Sequence, residues 1–408
     1  MKKKKIGIIG FGSMGSLLGR EFAVATGGVA EIAAVVEPSD EKFNESCEIL
    51  GYKPTRCESI AAMLGLELDG VVISSPNYCH LENLRELGDC ELALLLEKPL
   101  DSSFEKICDV LRFAENYRGP IMVDHVMRYA PIVAKARELI DAGAIGKICS
   151  ASFVQNCFYG NGMFHNFRRT MAGGGGMFIE KATHDFDIMM YLLGSRPAKV
   201  SAIARMQAYG GDKPNDLQCR NCEQRLSCKE SINNIHYRYG ATEMMEVKGC
   251  NDLCVYAKAV DVPDNEVCMI EFENGTFGTY TECFFSPASY ASREYEITGL
   301  EGIMKISFSL GSDHHKGKVL VSPRFGTPGD AVTYDFDYRK NNHYNGGGEV
   351  VKHFCRVIDR QEAPFTTVRQ AFLAEVLGHS ATQAAQSGEF VYPEKVLPAD
   401  LSNLWSQL

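Results

Sequence analysis

An apolar strand, Lys5-Ile6-Gly7-Ile8-Ile9, runs straight into Gly10-Phe11-Gly12-Ser13-Met14-Gly15, and a second apolar run from Ile32 to Val36 is closed by Glu37, about 22 residues after Gly15. Each part has its own physical reason. Gly10 permits a tight turn, Gly12 lets backbone approach a pyrophosphate, and Gly15 allows close helix packing. Phosphates then sit on the helix N-terminus, where unpaired N–H groups and the dipole attract anions. Phe11, Ser13 and Met14 belong to the same turn and count with the glycines as cofactor-binding residues. Glu37 can accept hydrogen bonds from both hydroxyls of an adenine ribose and would repel a 2′-phosphate, so the pattern predicts NAD rather than NADP.

The rhythm that follows predicts an α/β fold. Apolar strands at 5–10, 31–36, 70–74, 93–96 and 120–124 alternate with helix-like segments, as in a doubly wound parallel sheet, and residues 1–124 are expected to form the NAD-binding domain. An amphipathic helix runs from Pro131 to Asp141, then a strand from Lys147 to Gln155. From about Val200 strands dominate, including 266–273 joined to 276–281 through Asn274-Gly275, a strong hairpin signal. Residues 125–408 are expected to form an α+β substrate and oligomerisation domain on a large, mainly antiparallel sheet, with a Cys-rich insertion at about 210–256. Two C-terminal helices, 348–359 and 368–386, are expected to cover that sheet or to pack back toward the first domain.

Bulk composition excludes several classes. With 408 residues, 45% hydrophobic and 23% charged, the chain has material for two substantial cores. A net charge of −10 offers no basic field to a nucleic acid. The longest wholly apolar stretch is Ile188 to Leu193, far below a membrane span. Lys2 to Lys5 precede no separate apolar region and read as a solvated N-terminus. Fifteen cysteines, an odd number, point to free thiols in a reducing cytoplasm.

Two constellations can carry chemistry. The strand 92–96 ends in Glu97-Lys98-Pro99, which places a lysine at the carboxyl end of a parallel strand, where ligands bind in such sheets. Ser75-Pro76-Asn77-Tyr78-Cys79-His80 follows the preceding strand, and Ser75, Pro76, Asn77, His80, Glu97 and Lys98 are cofactor-binding candidates. Capping is the alternative role for Asn77. The second constellation is the glycine run 173–176 leading into Glu180, His184 and Asp187, spaced i, i+4 and i+7 on one face of an expected helix. Such groups are costly to bury without partners and are expected to line a cleft, His184 accepting a proton while a carboxylate one turn away fixes its tautomer.

Together these features resemble the glucose-fructose oxidoreductase, inositol 2-dehydrogenase and MocA (Gfo/Idh/MocA) family. The matching segments are GFGSMG at 10–15, SPNYCH at 75–80, EKP at 97–99, MRYAP at 127–131 with GAIGKI at 143–148, and the glycine run followed by E-x-x-x-H-D-x-D at 180–187. The resemblance implies that Lys98 binds the substrate hydroxyl near the nicotinamide and that His184 is the general base, with Glu180 standing where many members have Asp. It also implies sugar, polyol or sugar-phosphate substrates and oligomer contacts, dimer or tetramer, through the open sheet. Arg128 in the MRYAP segment, and His165, Asn166 and Arg168 in the polar stretch 156–169, are the accompanying substrate-contact candidates.

The expected reaction is removal of a carbinol proton by His184 while hydride leaves the same carbon for NAD and Lys98 stabilises the developing alkoxide. An NAD-dependent glycosidase, which oxidises its sugar transiently and takes the hydride back, is the alternative. A non-catalytic NAD or sugar sensor is the third reading, disfavoured because a sensor has no need of a proton acceptor beside the nicotinamide. The cysteines Cys219, Cys222, Cys228 and Cys254, with Cys250 nearby, predict a tetrahedral structural zinc site; an iron–sulfur cluster and unligated thiols are the alternatives.

Overall fold

A computed structural model describes residues 3–158, 160–234, 252–309, 316–338 and 343–407. The chain divides into two units, residues 1–130 with 341–375, and residues 131–340 with 376–407.

In the first unit the apolar runs become β1 (Lys4–Ile9), β2 (Ala30–Val36), β3 (Thr55–Cys57), β4 (Gly70–Ile73), β5 (Ala93–Leu96) and β6 (Ile121–Val123). They form one parallel sheet in the order β3-β2-β1-β4-β5-β6. Every residue of β4 and β5 is buried, as expected of strands covered on both faces. The crossovers are α1 (Ser13–Ala25), α2 (Asp40–Leu50), α3 (Ile60–Leu64), α4 (His80–Leu87) and α5 (Phe104–Asn116). Start signals are local: the Ser39 and Ser103 hydroxyls accept from the N–H groups of Lys42 and Lys106. The strand order reverses between β1 and β4, so the loops after their carboxyl ends flank the crevice where such sheets bind ligands.

Helix Gly346–Ile358 completes this unit. Phe354 packs edge-on against Phe22 of α1 at 6.2 Å between ring centroids, and Lys4 pairs with Asp359 at 2.5 Å. A Cβ at Gly346 would lie 2.3 Å from the Val126 carbonyl oxygen, so only glycine fits. Thr366 donates its hydroxyl to the Val123 carbonyl and its own carbonyl accepts from Val123 N–H, extending the edge of β6. The first of the two expected C-terminal helices therefore belongs with the dinucleotide sheet.

The second unit holds α6 (Pro131–Asp141), β7 (Ile148–Asn156), β8 (Pro197–Arg205), β9 (Asn265–Phe272), β10 (Phe277–Cys283), β11 (Ser292–Gly299), β12 (Gly302–Ser309), β13 (Lys316–Pro323) and β14 (Val332–Asp337). Its sheet runs β14-β13-β12-β11-β7-β10-β9-β8, antiparallel except between β7 and β10. The Asn274-Gly275 hairpin is present, with Gly275 at φ +83. Helix Ala182–Leu193 lies against β7 and α6, and the core beneath holds Phe153 stacked on Tyr295 at 3.9 Å, with Phe186 and Tyr280 edge-to-face at 5.1 Å. Among the described residues no helix is long and apolar enough to cross a membrane.

Candidate active site

The glycine turn after β1 has the shape a pyrophosphate needs. Gly10 sits at φ +83, and a Cβ there would come within 2.5 Å of the Ser75 backbone. A Cβ at Gly15 would meet the Gly10 carbonyl oxygen at 2.3 Å, whereas one at Gly12 would meet nothing within 4 Å, leaving open space on that side. Gly12 caps α1 without a side-chain hydrogen bond, and no acid stands in its first turn, so the N–H groups around Ser13 and Met14 face no competing anion there. Glu37 is 6% exposed and is held by two backbone donors, Phe11 N–H at 3.0 Å and Ser39 N–H at 2.9 Å. Its carboxylate is thereby fixed beside the turn, with lone pairs remaining for a ribose. These residues fit NAD.

After β4, Ser75 donates to Asn83 at 2.5 Å, and Pro76 leads into the turn Asn77–Cys79, whose Asn77 is buried. His80 is wholly buried, its ring facing Ser75 O at 2.9 Å and Pro99 O at 2.8 Å, so it braces two loops.

Glu97 and Lys98 leave β5 beside Asp124, which leaves β6, because the register Leu96↔Val123 sets the two strand ends level. Both carboxyls are buried, and Glu97 is hydrogen-bonded to Asp124. Burial and mutual repulsion raise Glu97 well above the usual carboxylate range, and burial raises Asp124 to about 6. The pair stands beside Lys98, whose positive charge opposes both shifts. Asp124 escaped the sequence reading; its signal was an acid at the end of the strand adjoining Glu97. Arg128, expected with the substrate domain, lies in the first unit on the turn Val126–Tyr129, 5% exposed and over the Phe365 ring at 6.0 Å.

In the second unit, Thr170 caps the short helix Met171–Gly174, and Gly175 and Gly176 at φ +82 and +87 turn the chain into helix Met177–Glu180. A Cβ at Gly173 would lie 2.1 Å from the Phe167 carbonyl oxygen, so the run is a packing requirement as well as a turn. The expected single helix is broken at Lys181 (φ −119, ψ −50), and a new one, Ala182–Leu193, begins there. Glu180, His184 and Asp187 are all buried, at 3, 6 and 1% exposure.

The Glu180 carboxylate accepts from Arg168 Nε at 2.7 Å, with Arg168 lying over the Phe167 ring. Lys181 is half-buried beside them: desolvation lowers its pKa, against the opposing pull of Cys157 and Glu180. Asp185, fully buried, anchors the helix to the sheet through Arg293 Nε at 3.2 Å and the hydroxyls of Tyr280 and Tyr295. Lys181 and Asp185 were missed from sequence, where the i, i+4, i+7 pattern drew attention to other positions.

Of the three substrate-contact candidates in the stretch before the glycines, only Arg168 joins the Glu180 cluster. Asn166 caps the turn Phe167–Arg169 and donates to Gly162 O at 2.7 Å. His165 faces Leu253 O at 2.6 Å and Glu230 O at 2.7 Å, tying the Cys-rich insertion to the domain. The His165 ring and the Asn166 amide are thus both engaged by backbone groups.

Cys219, Cys222, Cys228 and Cys254 are free thiols, and Cys254 lies within electrostatic reach of the other three. Among the described residues no three His, Cys, Asp or Glu side chains are gathered into a ready metal-binding group, so the expected zinc ligation is not seen as a formed site. Cys250 lies outside the described residues.

Residues 4–125 match the oxidoreductase family with an NAD-binding Rossmann fold, and residues 133–305 match the Gfo/Idh/MocA C-terminal domain. The chain belongs to the Gfo/Idh/MocA family. It is 23% identical over 382 residues to the scyllo-inositol 2-dehydrogenase (NAD(+)) of Bacillus subtilis (strain 168), spanning 93% of this chain and 94% of that protein. It is 26% identical over 207 residues to the 2,7-anhydro-N-acetylneuraminate hydratase of Escherichia coli (strain K12), spanning 50% of this chain and 54% of that protein. Levoglucosan dehydrogenase, solved in complex with NADH and L-sorbose, shares the fold at a TM-score of 0.75 and 17% identity, covering 96% of this chain and 98% of that one. This Gfo/Idh/MocA member is thus an NAD-binding oxidoreductase with a Rossmann half and a large mixed-sheet half.

Proposed function

We propose that the enzyme oxidises a secondary carbinol of a sugar, polyol or sugar derivative with NAD. NAD, when bound, supplies the hydride acceptor. His184 removes the carbinol proton, and Lys98 stabilises the oxygen as it becomes an alkoxide. The Glu97–Asp124 pair holds the Lys98 charge in place. The buried Glu180 and the half-buried Arg168 form an ion pair that orients polar substrate groups. The names of the relatives, an inositol dehydrogenase and a levoglucosan dehydrogenase, support the substrate class.

The observation that carries the reading is the buried His184 in the first turn of helix Ala182–Leu193, which follows the Glu180–Arg168 ion pair in the chain, together with the glycine turn after β1 in the other unit, whose shape suits NAD. A hydratase relative favours a second reading, in which the hydride is returned and no NADH accumulates, as in a glycosidase acting through transient oxidation. The open sheet face, with exposed Met269 and Phe277, suits association of like chains. A panel of sugars, polyols and aryl glycosides with NAD, followed for NADH and for released aglycone, tests the first reading. NADH formation with a polyol or free sugar supports it. Aglycone release without NADH replaces it with the second, and silence on both channels defeats both.

A further inference from the structure

Glu375 is the only acid on helix Val368–Ser387, and it belongs to the first unit. Ala371, Phe372 and Ala374 beside it are wholly closed to solvent, and so is Glu375 itself. A carboxyl in such surroundings is costly unless a polar partner meets it. The partner here is the loop that carries Lys98: Glu375 Oε1 accepts from Leu100 N–H at 2.6 Å, two residues after the lysine.

That hydrogen bond completes a series along the loop. Glu97 N–H donates to Ile73 O at 2.9 Å, and His80 Nδ1 faces Pro99 O at 2.8 Å. The Asp101 carboxylate, also wholly buried, accepts from Leu81 N–H at 3.3 Å and from Ser102 N–H at 2.6 Å. The residues on both sides of Lys98 are thus gripped from β4, from α4 and, at Leu100, from the late helix. Leu100 has its own side chain buried as well, so its peptide lies where water cannot replace a lost acceptor.

A second relation is electrostatic. Lys98 acts on Glu97, Asp124 and Glu375 alike, which sets carboxyls about its ammonium from three places: its own loop, the end of β6 and the late helix. Burial raises Glu375 well above the usual carboxylate range; the Leu100 N–H and Lys98 oppose the rise, and Asp101 adds to it. Its second oxygen, Oε2, meets no hydrogen-bond partner among the described residues, so an ionised carboxylate would be left half satisfied. At neutral pH Glu375 therefore offers the loop an acceptor oxygen rather than a full charge.

We infer that Glu375 is a positioning residue for Lys98: its carboxyl fixes the Leu100 peptide and, through it, the point from which the lysine side chain leaves the sheet. This rests on Lys98 as the group that stabilises the alkoxide. Without the acceptor, Leu100 N–H is buried and unpaired, and the loop shifts to find another partner. A displacement of about 1 Å at the ammonium is enough to slow the reaction by up to about 10²-fold.

Turnover of the full chain at saturating NAD, with NADH affinity read by fluorescence, tests this. Glu375→Leu should lower kcat by about 10- to 100-fold while NADH affinity stays within about threefold of the parent. Glu375→Gln keeps an acceptor oxygen of the same reach and should bring kcat back to within about threefold. A double-mutant cycle with Lys98→Met decides whether the effect runs through the lysine: once the ammonium is gone, Glu375→Leu should cost less than about twofold more. Equal losses in both backgrounds, a Gln variant as slow as the Leu variant, or parental kcat in Glu375→Leu each overturn this inference alone. Parental turnover in Lys98→Met overturns the reading of Lys98 and this inference with it. Should Glu375→Leu not fold, Glu375→Asp, which withdraws the carboxyl by one methylene, enters the same cycle under the same criteria.

Discussion

Glu97 and Asp124, at the ends of adjacent parallel strands, are two buried carboxyls hydrogen-bonded to each other beside Lys98. Burial pushes Asp124 up to about 6 from the 3.8 of an ordinary aspartate, and burial beside Asp124 lifts Glu97 well above the usual carboxylate range. A raised carboxyl pKa stabilises the fold while the group is protonated, so that stability is present below about pH 4 and lost as pH rises through about 6. Asp124→Asn removes this titration. Its unfolding free energy should fall less than that of the parent between about pH 4 and pH 7, by on the order of 1–3 kcal/mol in denaturant titrations. Parallel pH profiles for the two proteins would sink the raised Asp124 carboxyl.

Proton transfer and charge stabilisation are separable. His184→Ala and Lys98→Met should each lower kcat by about 10²–10⁴ with the best substrate, while NADH binding by fluorescence stays within about threefold. Near-parental turnover in both variants would remove the proposed mechanism.

Cofactor choice rests on one fixed carboxylate. Glu37→Ser keeps a side chain near the Phe11 and Ser39 N–H groups but loses the negative charge. The ratio of kcat/KM with NADP to that with NAD should rise at least about tenfold, equivalent to about 1.4 kcal/mol. An unchanged ratio would place the ribose elsewhere.

Asp185 is an anchor that pairs with a buried cation. Asp185→Asn weakens the charge pairing of Arg293, 5% exposed, and should destabilise the protein by about 1–3 kcal/mol in urea titration. Adding Arg293→Met should recover part of that loss, because the under-compensated buried charge goes with it. Equal stability of the single variant and the parent would mean that Tyr280 and Tyr295 suffice.

Much of this was legible in the chain itself, for physical reasons that can be named. The strands β1, β4 and β5 announce themselves because a parallel sheet covered on both faces needs unbroken apolar runs. The Asn274-Gly275 hairpin is visible because its turn demands residues tolerant of positive φ. Helix periodicity failed at Lys181: nothing in local spacing reveals that the glycine turns set one short helix before another. His165 and Asn166 looked like substrate ligands because sequence shows a polar side chain but not which backbone group claims it. Asp124 and Asp185 act through neighbours on other strands, and that register is a property of the fold rather than of any window of residues.

Helix Gly346–Ile358 and the strand-like contact at Thr366 belong to the dinucleotide unit although they are made late in synthesis. A ribosome therefore releases all eight strands of the other sheet before it can deliver the pieces that finish the first one. Cutting the gene near residue 130 would yield a Rossmann fragment with the α1 surface around Phe22 bare, so a workable excised version must splice 341–375 back on through a short linker.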